Sequence, residues 1–368
     1  MIGTLDRYLL RSLLLDYLIA LGVMLSLYVV LDLFVNMDEF TEQKFTLVRT
    51  LRNIASYYGP NLLLYHAELS GVITLFACLA TIARARRQNE MTAMLASGVS
   101  LYRVAAPVIA FGICTTALLV LNTEMLIPTV AHLLARDRDD VDGKHAYEVL
   151  FLRDRDRALV SAGRFHPNTQ DLERLLVLCR DEGGAVVRTV EADRAVWESK
   201  GPLPDEGRWR LQRGSERLRV DAPQSGLGPQ NNEIVNPIEW YDSALSPEVI
   251  QLRQTEGWVR FLSVAQLDEL LRSNPPDRTS VIQTKHSRIA APIVAMVLLL
   301  LGLPFFLDRS PANILNDTGW SMAVCGMCYV ATFIAQSMRT STESALPAWI
   351  PIFVFATLAM VLVDRIKT

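Results

Sequence analysis

The sequence predicts an α-helical polytopic membrane protein, six transmembrane helices in a three-plus-three arrangement around an inserted extracytoplasmic all-β domain of jelly-roll-like character. Three observations predict it. Of the 368 residues, 51% are hydrophobic, which is high for a soluble protein. The apolar residues gather into stretches near the ~20 residues that a helix needs to cross a bilayer. Between the third and fourth stretches the chain turns polar, with frequent turn signals separating short β-prone runs.

The six stretches are Leu13–Val35, Asn61–Ala83, Val104–Thr123, Ile289–Leu307, Thr318–Met338 and Ala345–Val363. The last three carry no charged residue, and neither does Val104–Thr123. A soluble core helix has no reason to be apolar all round for that length. Arg7 and Arg11 precede the first stretch as they would in a signal peptide. The stretch is too long for an h-region, however, and ends Phe34-Val35-Asn36-Met37-Asp38 with no small-x-small cleavage site, so it reads as an uncleaved helix.

Lys and Arg in short loops set orientation. With the N-terminus inside, the cytoplasmic set is Arg7, Arg11, Arg84, Arg86, Arg87, Arg103, Arg309, Arg365 and Lys367, against Lys44, Arg49, Arg52 and Arg339 opposite. Three spans then place residues of about 130–285 outside the cytoplasm. The expected domains are 1–129 (spans one to three with a cytoplasmic helix at about 84–100), 130–257 (β-domain), 258–285 (connecting helix and linker) and 286–368 (spans four to six).

In the middle segment, turn signals fall at Gly163, His166-Pro167-Asn168, Gly183-Gly184, Gly201-Pro202, Asp205-Glu206-Gly207 and Pro223. The β-prone runs between them are Glu148–Arg153, Ala158–Ala162, Leu175–Cys179, Ala185–Val190, Arg208–Gln212 and Arg217–Val220. That spacing suits a sandwich or jelly roll and not βαβ units. Ser225–Asn232 is a loop by composition, and Ser263–Ser273 is helical before Asn274-Pro275-Pro276.

The net charge of −3 argues against a nucleic-acid partner. Among the five cysteines only Cys179 lies outside a span, so the β-domain makes no internal disulfide. Cys325 and Cys328 form C-x-x-C inside an apolar helix and read as small packing residues. No G-x-x-x-x-G-K-[ST], H-E-x-x-H or G-x-S-x-G occurs, which gives no site for ATP hydrolysis, zinc or an esterase nucleophile, and no catalytic residue is assigned. Arg136–Gly143 tempts toward a calcium loop, but counting from Asp137 places Val141 and Asp142 at positions five and six, and the ligand register fails.

Ionisable residues in or near the spans are Asp16, Asp32, His66, Glu68 and Glu124. Such groups are costly in lipid and so are candidates for helix–helix contacts or a polar lining. The loop between spans two and three runs from Ala83 to Ser100. Met91, Met94, Leu95 and Gly98 follow i, i+3, i+4, i+7, one helix face, and Gly98 can supply a left-handed helix end. Two readings stand for it: a docking element with a Met-rich repacking surface, or an interfacial helix whose Glu90 pairs with Arg86 or Arg87.

At this helix the sequence resembles the LptF/LptG permeases, whose loop reads approximately R-x-x-E-[LM]-x-x-[LM]-x-A-S-G-[VF]-[ST]. Arg87-Gln88-Asn89-Glu90-Met91-Thr92-Ala93-Met94-Leu95-Ala96-Ser97-Gly98-Val99-Ser100 fits it. The resemblance continues through Pro128, Glu191-Ala192-Asp193-Arg194-Ala195 with Trp209-Arg210-Leu211, Leu262–Leu267, Arg288-Ile289-Ala290-Ala291-Pro292 and Leu346–Pro351. It implies a non-enzymatic transport subunit for lipopolysaccharide or a related glycolipid in the bacterial inner membrane. The implied partners are a cytoplasmic ABC ATPase dimer (which would carry the ATP and Mg, this chain holding no cofactor), a homologous permease subunit and a periplasmic jelly-roll bridge protein. Arg87, Glu90, Met91, Met94, Leu95, Ser97 and Gly98 would meet the ATPase. A central cavity lined by spans one and five among others would take up lipid, with Leu27, Val30, Leu31, Phe34, Lys44, Arg52, Cys325 and Tyr329 as candidates. The segment after span one departs from the family's basic pattern, reading Asn36-Met37-Asp38-Glu39-Phe40-Thr41-Glu42-Gln43-Lys44. Competing classes are a non-transporting structural or mechanotransmitting protein, whose soluble domain would more usually follow the first span, and a membrane enzyme, for which no His, Asp or Ser constellation is present.

Overall fold

The computed structural model describes residues 3–37, 47–135, 146–181, 183–199, 207–219, 233–254, 257–272, 277–307, 314–338 and 344–364. Lys44, Arg136–Gly143, Ser225–Asn232 and Asn274-Pro275-Pro276 lie outside them. The chain forms two compact units, one from Met1–Met37, Tyr58–Val130 and Val259–Thr368, the other from Asp38–Tyr57 and Ala131–Trp258.

The first half of the chain supplies α1 (Thr4–Val35), α2 (Leu47–Arg87), α3 (Glu90–Ala96) and α4 (Leu101–Leu121), the last continued by a π-helical turn at Asn122–Leu126. The short helix α5 (Pro247–Gln254) closes the β-rich unit. The second half supplies α6 (Val264–Arg272), α7 (Arg278–Gly302), α8 (Ile314–Ser337) and α9 (Leu346–Asp364). Six of these helices are long and apolar enough to cross a membrane. Most outrun their apolar windows: α1 begins at Thr4, α2 at Leu47 and α7 at Arg278. Hydropathy marks only the apolar part of a helix, whereas the hydrogen-bonded spiral continues through polar flanks.

The helical core centres on α7, whose Ala290, Leu298, Leu299 and Leu301 are buried. Small residues let its neighbours close on it. A Cβ on Gly71 of α2 would stand 3.2 Å from the Ala295 Cα, and one on Gly112 of α4 would stand 2.3 Å from Leu299. Gly302 faces Leu75, Ser321 and Cys325 in the same way.

The other unit is an antiparallel sheet: β1 (Tyr147–Arg153), β2 (Leu159–His166), β3 (Asp171–Arg180), β4 (Val186–Ser199), β5 (Gly207–Gln212), β6 (Ser215–Arg219), β7 (Glu233–Pro237) and β8 (Trp240–Ser243). Its path is a meander β1-β2-β3-β4, after which the long β4 pairs with β5 along Arg194–Ser199 and with β6 along Arg188–Glu191. β8 pairs with β5 and β7 with β6, so β5–β6 and β7–β8 are two broken ribbons lying side by side. The break is stitched by Leu211 N–H to Glu239 C=O (2.8 Å) and Ile238 N–H to Gly214 C=O (3.1 Å). It needs glycine, because a Cβ on Gly214 would sit 2.2 Å from the Ile238 carbonyl oxygen.

β7 and β8 are strands that the turn-and-run pattern missed, and Gly163 lies inside β2 where a turn was expected. Gly163 stands opposite Arg174, whose side chain crosses the space that a Cβ would fill. A glycine within a strand marks such a close approach as readily as a turn.

Val160, Phe165, Leu172, Leu175, Val177, Val190 and Trp209 fill the sheet's core, and Ile250 of α5 joins them. The Trp209 indole donates to the Leu245 carbonyl at 3.1 Å. Buried Asp154 accepts from the Tyr241 hydroxyl (3.0 Å), the Ser243 hydroxyl, and the Arg155 and Ala244 amides (both 2.8 Å). That carboxylate ties the β1–β2 connection to the chain after β8. Burial, reinforced by Asp154, pushes the Tyr241 hydroxyl well above the usual phenol range.

Two predictions follow from this packing. Gly214→Ala is expected to cost about 1–3 kcal/mol through overpacking, read as a lower thermal midpoint, whereas Gly326→Ala, with nothing within 4 Å, does not lower it. Asp171 is buried, which by itself raises a carboxyl pKa, but Thr169 and Arg194 outweigh burial and hold it below its ordinary value. Its folded pKa is therefore below its unfolded one, so its stabilisation is fully present above the ordinary Asp value of about 4 and is lost as pH falls from there through the lower folded pKa. Tryptophan-monitored unfolding between about pH 7 and about pH 3 should show a steeper acid loss for wild type than for Asp171→Asn.

Candidate functional site

The loop between spans two and three folds as expected for a helix with a glycine end. Asn89 adopts the left-handed region (φ 61°) and separates α2 from α3, a conformation that Asn tolerates better than most residues. At the other end Gly98 is left-handed (φ 85°). The Gly98 amide donates to Leu95 C=O and the Val99 amide to Met94 C=O, at 3.0 and 3.2 Å, which is a Schellman motif. Met94 and Val99 both pack against the helical core.

The face that α3 shows to solvent differs from the sequence expectation. Met91 is buried, and Met94 and Leu95 pack against the same core as Leu9, Leu13 and Leu101. The amphipathic period is right, but the helix spends its apolar face on its own chain. Thr92, Ala93, Ala96 and Ser97 are exposed instead, with Arg87, Gln88 and Asn89 beside them. The Ser97 hydroxyl donates to Met94 C=O at 2.7 Å.

Glu90 does not take Arg86 or Arg87 as its partner. Both its oxygens accept from the Tyr8 hydroxyl of α1, at 2.9 and 3.1 Å. Arg86 instead pairs with Asp317 of α8 at 2.9 Å, with the two side chains only 9% and 16% exposed. Arg84 pairs with buried Asp16 of α1, whose other oxygen accepts from the Thr81 hydroxyl at 2.6 Å. The basic end of α2 and the adjoining α3 are thus tied to both α1 and α8.

A second polar group joins α1, α2, α4 and α7. Asn122 of the π-helical turn donates to Leu63 C=O (2.8 Å) and to His66 Nδ1 (3.1 Å). His66 then carries its proton on Nε2, which faces the Tyr17 hydroxyl at 3.2 Å. Arg288 donates to the Thr123 and Arg260 carbonyls and pairs with Glu124 at 3.6 Å, while Glu124 accepts the Val264 amide at 2.9 Å and so caps α6. Asp32 accepts from the Tyr58 hydroxyl at 2.7 Å. Glu68 stays exposed, makes no hydrogen bond or ion pair with His66 among the described residues, and lies within electrostatic reach of Arg260 and Tyr329.

The expected cavity residues separate. Leu27, Val30, Leu31 and Phe34 are all exposed along α1, and Arg52 is exposed near the start of α2. Tyr329 is half-buried on α8. Cys325 is 3% exposed and turned to α7, its thiol 3.6 Å from the Leu298 carbonyl, and with Ser321 it forms a small-residue seam against Gly302 of that helix. Lys44 lies outside the described residues.

Six apolar helices with an antiparallel β-domain inserted between the third and fourth define a multi-pass membrane protein. The family model described as lipopolysaccharide export system permease LptF/LptG matches residues 7–365, and the chain belongs to that family, one of permeases and not of enzymes. No curated protein matches it.

Removing one partner of a buried charge pair leaves the other uncompensated. Arg84→Met, which strands Asp16, should destabilise the solubilised chain by about 1–3 kcal/mol. Adding Asp16→Asn should recover most of that loss in a thermal unfolding series, and additive losses would exclude the pairing.

Proposed function

We propose that this chain is one transmembrane subunit of an ABC transporter that extracts lipopolysaccharide or a related glycolipid from the bacterial inner membrane and passes it to a periplasmic jelly-roll bridge. The family match over residues 7–365 carries the reading. The excess of Lys and Arg on the loops at the α2–α3 end supports N- and C-termini in the cytoplasm and the β-domain in the periplasm. ATP and Mg belong to a separate ATPase dimer, and a homologous permease completes the pair. The exposed face of α3, from Arg87 through Thr92, Ala93, Ala96 and Ser97, is the surface that an ATPase groove meets, with Glu90 at its edge.

The lipid enters along α1, where Leu27, Val30, Leu31 and Phe34 offer an apolar track, and the sequence offers Arg52 and Lys44 as basic candidates for its phosphates. A bridge protein extends the β-sheet by strand addition. Of the described edge strands β1, β7 and β8, β1 is interrupted by two register shifts and a left-handed Phe151, and β8 is only 4 residues long, devices that discourage pairing. β7 runs in regular register with Ile234 and Val235 exposed, so it is the better template.

The test is copurification of the ATPase and lipopolysaccharide-stimulated ATP turnover for Glu90→Ala beside Glu90→Gln. Loss of a desolvated charged partner at an interface costs about 2–5 kcal/mol, so Glu90→Ala should weaken association or coupling more than tenfold. Wild-type behaviour in both variants would refute the reading of α3 as the ATPase contact.

A further inference from the structure

α3 joins α2 to α4 through the chain, so a push on it should move spans two and three first. The side-chain contacts describe a different mechanical path. Two residues, Gln88 and the left-handed Asn89, separate α3 from α2, and a short break of this kind is where a short helix swings unless something else holds it. One polar link holds it directly, and a second anchors the end of α2 on the other side of the break. Glu90, the first residue of α3, receives both bonds from the Tyr8 hydroxyl, 82 residues away on α1. Arg86, one turn before Glu90, has its guanidinium held by Asp317 at the start of α8 in a pair almost closed to solvent. Beneath them Met91 is buried in the same cluster as Leu9 and Leu13 of α1.

We infer that displacement of α3 is delivered directly to span one through Tyr8–Glu90, with Tyr8 acting as the positioning residue for Glu90, and reaches span five through the end of α2, where Arg86 holds Asp317. The inference rests on the reading of α3 as the ATPase contact and adds where its motion goes. These are also the spans proposed to line the lipid path, so the links join nucleotide-driven motion to the helices that must part. Tyr8 and Glu90 lie at the open edge of the exposed α3 face, with Tyr8 49% exposed. A partner seated on that face covers the pair, and exclusion of water strengthens a hydrogen bond to a carboxylate.

The test uses the complete transporter with its ATPase, reconstituted in vesicles containing lipopolysaccharide, and reads ATP turnover together with lipid released per ATP. Tyr8→Phe keeps the ring and removes only the hydroxyl, on a half-exposed residue whose loss should not unfold the chain. The ATPase should remain bound and active while lipid released per ATP falls about fivefold to tenfold. The neutral pair Arg86→Gln with Asp317→Asn should lower the same ratio while leaving neither charge of that pair alone. Tyr8→Phe combined with Glu90→Gln should be no worse than the poorer single variant. A wild-type ratio in Tyr8→Phe, or turnover and release falling together at a constant ratio, overturns the inference. If that happens while Glu90→Ala still loses the ATPase, the docking reading stands and only the path is wrong. If Glu90→Ala also behaves as wild type, the docking reading itself has failed.

Discussion

The arrangement at the end of α2 depends on where its arginines find carboxylates. A helix C-terminus favours cations, and α2 ends with Arg84, Arg86 and Arg87 in its last turn. Two of these turn inward to acids on other helices, Arg84 to Asp16 and Arg86 to Asp317. A carboxylate as buried as Asp16 is tolerable only with such a partner and with the Thr81 hydroxyl completing it. With Arg86 committed to α8, Glu90 takes the Tyr8 hydroxyl of α1. The charge pairing thereby decides which spans the junction of α2 and α3 is fastened to.

The same economy governs the far side of the helical unit. The π-helical turn at Asn122–Leu126 inserts an extra residue into the spiral, a feature that recurs at functional sites. It turns Asn122 toward α2 and Glu124 toward Arg288 and the amide end of α6. In the β-domain, Asp154 plays a comparable part by gathering four donors from segments about ninety residues apart. In each case one buried polar group fixes the relation of distant segments, because leaving it unsatisfied costs more than the bond itself contributes.

The membrane helices were legible from hydropathy, and the end of α3 from Gly98, because both signals are local. The period that put Met91, Met94 and Leu95 on one face was equally legible, but periodicity states that a face exists and not what covers it. Here the chain's own core covers it. Glu90 with Arg86 was the nearest ion pair by helical spacing, and it lost to Asp317, which no local pattern brings close to Arg86. Tyr8 escaped notice for the same reason. β7 and β8 escaped because Pro237 and a run of polar residues dilute the alternation, and because the break at Gly214 splits each ribbon into pieces too short to stand out. Cys325 was named from the span it belongs to, and its small size, which lets it close on Gly302 of α7, is not a signal that hydropathy carries.

The most direct test is whether α3 travels with α1 and α8 as one body. Spin labels at Thr4 and Ala96, and at Ala96 and Gly319, can be introduced as cysteines in a chain whose exposed Cys114 is replaced by Ser. Pulsed-EPR distances would be taken on the reconstituted transporter with and without ATP. Fastening by Tyr8–Glu90 and Arg86–Asp317 predicts that both distances hold through the nucleotide cycle. Separation of Ala96 from Thr4 and Gly319 on ATP binding, with α3 following spans two and three alone, would contradict it.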